Sequence, residues 1–91
     1  MSTSRFRYYL QLDGDDYQQR FLVALGERFD SYGEEERVEH ILLLAEDHLD
    51  FLSDGRADRR PVFVDRTLDE PPANAHPLEV DEVTFWPLPR Y

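Results

Sequence analysis

The chain of 91 residues contains no cysteine and no lysine, one methionine, one tryptophan and four glycines. Without cysteine there is no disulfide framework, no thiolate metal site and no cysteine nucleophile, so stability must come from packing. Every cation is an arginine: 10 of them stand against 20 Asp and Glu, leaving a net charge of −10. That charge opposes direct binding to nucleic-acid phosphates or anionic lipid and favours fast encounter with basic partners. Long apolar runs are also missing. The longest, Phe21–Leu25 and Ile41–Ala45, are too short to span a bilayer, and the N-terminus has no signal-peptide core. A cytoplasmic protein with no membrane association is expected.

Apolar residues are nevertheless plentiful, at 41% with 13% aromatic, more than a disordered acidic tail would carry. One folded domain over residues 1–91 follows from this content and from the absence of a linker or internal repeat. Residues 5–12 alternate, with Phe6, Tyr8, Leu10 and Leu12 on one face and Arg5, Arg7, Tyr9 and Gln11 on the other, the pattern of a half-buried strand. Asp13-Gly14-Asp15-Asp16 breaks the alternation, and Tyr17, Phe21, Leu25, Phe29 and Tyr32 then recur at helical spacing, which predicts a helix over 16–31. The competing reading makes Asp13-Gly14 a hairpin turn and 17–25 a second strand.

From Glu34, the residues Val38, Ile41, Leu42, Ala45, Leu49 and Leu52 fall in one sector of a helical wheel, closed by Asp54-Gly55. Val62-Phe63-Val64 is a short β-rich run, and 67–77 is a loop whose prolines bar it from a central strand. Leu78–Leu88 alternates on two parities, so a bend near Asp81-Glu82 is needed to place its apolar residues on one face. The expected order is β-α-α-β-β, a small α+β domain with a helical hairpin on an antiparallel sheet.

The charge is unevenly distributed. Residues 34–55 carry eight acids and one arginine, a net −7 of the total. Glu35, Glu36, Glu39, Glu46, Asp47, Asp50 and Asp54 lie opposite the apolar sector, and Leu43 projects among them. A straight helix would spread these acids over about 28 Å, roughly one charge per 4 Å. One nucleic-acid strand carries about one per 3.4 Å. Most acidic helix faces serve only to solvate the helix, and Arg56, Arg59, Arg60 and Arg66 could fold back to neutralise this one. Two features favour a binding surface. Asp47, Asp50 and Asp54 sit where the helix dipole disfavours anions, and Leu43 is an apolar centre inside a charged rim.

No nucleophile elbow, phosphate loop or zinc signature is present, so no catalytic or cofactor-binding residue is assigned. His40 and His48 are about 12 Å apart along a helix, too far for one ion, so no metal is expected. Asp13, Asp15 and Asp16 lack the spacing of a calcium loop. In size and charge, though in no motif, the chain is similar to small acidic phage anti-restriction and anti-CRISPR proteins. The expectation is therefore a non-enzymatic inhibitor or modulator of a basic, nucleic-acid-binding protein, acting by nucleic-acid mimicry through Glu35, Glu36, Glu39, Leu43, Glu46, Asp47, Asp50 and Asp54. An immunity protein or antitoxin against a basic toxin is one alternative, and a small enzyme or accessory subunit with a carboxylate-lined site is another. The C-terminal Phe85–Tyr91 segment would also allow a homodimer by strand pairing.

Overall fold

A computed structural model describes residues 6–89. Arg5, expected in the first strand, and Arg90 and Tyr91, expected in the C-terminal segment, lie outside the described residues. The fold is α+β, built on one antiparallel sheet. The strands are β1 (Arg7–Gly14), β2 (Tyr17–Leu25), β3 (Val62–Thr67), β4 (Leu78–Val80) and β5 (Val83–Pro87), in spatial order β3-β1-β2-β5-β4. Two helices, α1 (Glu34–Asp47) and α2 (Leu49–Ser53), separate β2 from β3, and a single 3-10 turn (Glu27–Phe29) precedes them. Among the described residues, no helix is long and apolar enough to cross a membrane.

Residues 17–25 form a strand, which corrects the helix expected over 16–31 and makes the order β-β-α-α-β-β-β. The reason lies in the spacing. Tyr17, Phe21 and Leu25 are four apart, and because four is even, a strand also puts them on one face. β2 pairs along its full length with β1, from Arg7 opposite Ala24 to Gly14 opposite Tyr17. Asp15 and Asp16 form the hairpin turn. Gly14 is needed for proximity, since its φ is not in the left-handed region. A Cβ there would collide with the carbonyl oxygen of Arg56, in a junction where Asp58 and Arg59 both donate backbone N–H groups to the Asp13 carbonyl.

The helical hairpin is also absent. One helical segment runs from Glu34 to Ser53 and breaks at His48, whose backbone leaves helical geometry at φ −119°, ψ 31°. It covers one face of the sheet, packing Ile41, Leu44, Ala45 and Leu52 against Tyr8, Leu10, Leu12, Phe21, Val23, Leu25, Val83 and Phe85. The segment ends with Asp54 and Gly55 both left-handed, and the Gly55 N–H returns to the Asp50 carbonyl.

β3 and β4 occupy opposite edges of the sheet, so residues 68–77 must cross from one to the other. They do so on the face away from the helices. Arg7 donates to the carbonyls of Leu68 and Asp69, the Tyr9 hydroxyl donates to the Asp69 carboxylate, and Pro72–Ala75 borders a cleft with Pro87–Pro89. Leu22, on the parity that faces away from the helices and between Tyr9 and Trp86 in the sheet, is only 1% exposed.

Leu78–Leu88, expected as one strand with a bend near Asp81-Glu82, is instead two strands, β4 and β5, paired as a hairpin. Val80 pairs with Val83, and the two turn residues, Asp81 (φ 49°) and Glu82 (φ 67°), are both left-handed, as a type I′ turn requires. Neither is the preferred residue there. Replacing the pair by Asn-Gly (D81N/E82G) is expected to raise unfolding stability by about 1 kcal/mol, the left-handed penalty less the added chain entropy of glycine. Urea denaturation checks this, and an unchanged or lower midpoint would contradict it.

Candidate functional site

The outward face of α1 and α2 carries the eight residues singled out from the sequence, and all eight are exposed. They are not equivalent. Glu36 caps its own helix, its carboxylate accepting the Gly33 N–H at 2.8 Å. Gly33 has no side chain to answer, so only this half of a capping box can exist. Glu46 pairs with Arg60 at 3.4 Å on the surface. Glu35, Glu39, Asp47, Asp50 and Asp54 form no ion pair among the described residues.

Most of the nearby arginines are engaged elsewhere. Arg56 lies over the Tyr17 ring, Arg59 pairs with Asp15 and Asp58, and Arg66 reaches Glu34. Among the described residues, only Arg60 folds back onto the stripe. The face therefore keeps most of its negative charge.

The break at His48 changes the shape of the stripe. The Nδ1–H of His48 donates to the Leu44 carbonyl at 3.0 Å, and the backbone N–H of His48 reaches the same oxygen. Both bonds close the last turn of α1, so Asp50 lies on a second, short helix and Asp54 at its left-handed C-cap. The straight run is thus Glu35 to Asp47, about 18 Å at helical rise, rather than the 28 Å expected for an unbroken helix. His40 instead packs edge-on against Phe29 and Tyr32, with ring centroids 4.9 and 6.1 Å away.

Leu43 is 53% exposed, and Phe51, not singled out from the sequence, is 55% exposed. Its signal was available, because Phe51 falls outside the apolar sector defined by Val38, Ile41, Leu42, Ala45, Leu49 and Leu52. The acidic face thus carries two apolar side chains, one on each side of Asp47 and Asp50 along the chain. A second omission is Arg37, which is 7% exposed. Its guanidinium donates to the carbonyls of Phe29 and Asp30 at 3.0 Å each, lies over the Phe6 ring, and sits 3.7 Å from Glu34. Rather than relieving the stripe, Arg37 ties α1 to the 3-10 turn.

β5 lies between β2 and β4, so the edges this sheet presents to another chain are β3 and β4.

Glu34 completes this junction by accepting the Tyr8 hydroxyl at 3.2 Å. The Tyr8 pKa is raised above its ordinary value of 10.0, first by burial, then by the Glu34 charge and hydrogen bond, with Arg66 and Arg37 opposing. A raised phenol pKa means that the folded state holds the proton more tightly. The contribution is complete below about pH 10 and is lost as pH rises through the folded-state value. Tyr8→Phe should cost about 1 kcal/mol at pH 7. The gap from wild type should narrow above pH 10 in denaturation measured across pH, and a widening gap would contradict the assigned direction. No family model matches this chain, no curated protein is similar to it, and no solved structure matches it.

Proposed function

We propose that the chain is a non-enzymatic acidic binding protein of the cytoplasm. It inhibits or modulates a basic, nucleic-acid-binding protein by presenting the outer face of α1 and α2. The observation that carries this reading is the acidic face itself: five acids without a cation among the described residues, beside Leu43 and Phe51, with most of the described nearby arginines engaged elsewhere. Exposed apolar side chains ringed by charge have the composition of an interface centre and its rim. Charge steers the encounter, and the apolar pair resists dissociation.

The shape favours a compact patch over a long rod. With a straight run of about 18 Å, α1 can stand in for only about five phosphates of one strand at 3.4 Å spacing. Competition with nucleic acid would then arise by covering the centre of a basic surface.

Reversing Glu39, Glu46 and Asp50 to Arg should leave the fold intact, since all three are exposed. It should abolish capture of a basic partner from the native host or its phage at low salt, and partner retention by this variant would sink the reading. Leu43→Ala should act differently. It should raise the dissociation rate while leaving the association rate near wild type, as surface plasmon resonance would resolve.

A further inference from the structure

Between α1 and the outer edge of β3 lies an open groove of about 500 Å³, lined by Glu34, Glu35, Val38, Glu39, Leu42 and Phe63. Its floor is apolar and its rim is acidic. The groove continues into a smaller hollow of about 270 Å³ beside Arg60 and Pro61. Internal ion pairs occupy the acids at the two ends, Glu34 with Arg66 and Glu46 with Arg60. Glu35 and Glu39, between them, have no cation partner among the described residues.

The wall opposite α1 is an edge strand. β3 pairs with β1 on one side only, with a register shift opposite Tyr9 and Leu10, and no other strand among the described residues pairs with its outer row, in which the Arg66 N–H donates to the Asp65 carboxylate. With six residues, β3 is also the longer edge, against three in β4. An added strand would lie beside Phe63 and send alternate side chains up against the flank of α1. The spacings agree. Side chains on one face of a strand repeat about every 6.7 Å, and Glu35 and Glu39, four apart on a helix, are separated by about 6 Å.

We propose that this groove receives an extended segment of the partner in which arginines alternate with other residues, added beside β3 as a sixth strand. Each arginine stem lies on Val38 and Leu42, and its guanidinium reaches Glu35 or Glu39. The proposal rests on the acidic-surface reading above and assigns that reading its point of entry and the chemistry of its ligand.

The test uses the full chain and two synthetic ten-residue peptides of identical composition. In one, arginine and serine alternate, and in the other, the arginines are contiguous. The alternating peptide should bind at least tenfold more tightly by isothermal titration at low salt. It should also slow hydrogen exchange of the β3 amides that face away from β1. E35Q/E39Q should erase the preference, and D47N/D50N/D54N should keep it. Equal affinity for the two peptides, loss of the preference in D47N/D50N/D54N, or unprotected β3 amides would overturn the groove while leaving the acidic-surface reading intact. No salt-sensitive binding of either peptide would overturn both.

Discussion

An antiparallel sheet of five strands has two faces, and this chain has a single broken helical segment with which to cover them. Because β3 and β4 lie at opposite edges, the connection between them has to traverse β1, β2 and β5, and the helices already occupy one face. Residues 68–77 therefore become a second covering layer. Proline suits that role, since a crossing strap cannot join the ladder and loses nothing by lacking N–H groups. Arg7 and Tyr9 anchor its beginning, and the cleft against Pro87–Pro89 marks its far side. On that face Leu22 is buried and Trp86 partly buried.

The opposite layer is held by a different device. Arg37 satisfies two carbonyls at the end of the 3-10 turn, while Glu34, one turn earlier on the same helix, accepts from Tyr8 in β1 and pairs with Arg66 in β3. A buried guanidinium is tolerable only when its donors and charge are met, and carbonyls, a carboxylate and the Phe6 ring meet them here. This junction fixes the N-terminus of α1 over the sheet. It also divides the acids of the helix into two populations. Glu34 and Glu36 are committed to holding the fold, whereas Glu35 and Glu39, on the same turns, are exposed and have no ion-pair partner among the described residues. The acidic surface thus begins one residue away from the structural core of the molecule.

Much of this was readable in the residues and some was not, for definable reasons. The alternation of Tyr8, Leu10 and Leu12 identifies β1 because its other face stays polar. β2 lacks that contrast: Phe21, Leu22 and Val23 are all buried, so the period of two disappears. What remains is a spacing of four, common to helix and strand. The start of α1 and a bend at Asp81-Glu82 were legible from periodicity and parity. The break at His48 was not, because Leu49 and Leu52 continue the apolar sector across it. Each acid at the candidate surface was visible as a residue type. Which of them caps, pairs or stays free depends on contacts made by Arg37, Arg60 and Arg66 with distant parts of the chain.

The break at His48 has a physical consequence for any charged partner. Along α1, Asp47 is the last acid before the C-terminal end, where the unsatisfied carbonyls add further negative potential. Immediately beyond it, Asp50 and Phe51 stand on α2, and Asp54 caps its C-terminus. An unbroken helix would have drawn these charges into a line and diluted their fields with distance. The regular helix ends at Asp47, which limits how much of a phosphate backbone α1 can match. The same break leaves Leu43 and Phe51 on separate helices on either side of Asp47. Recognition on this surface therefore calls for a partner whose own cations surround an apolar contact, a more selective requirement than positive charge alone.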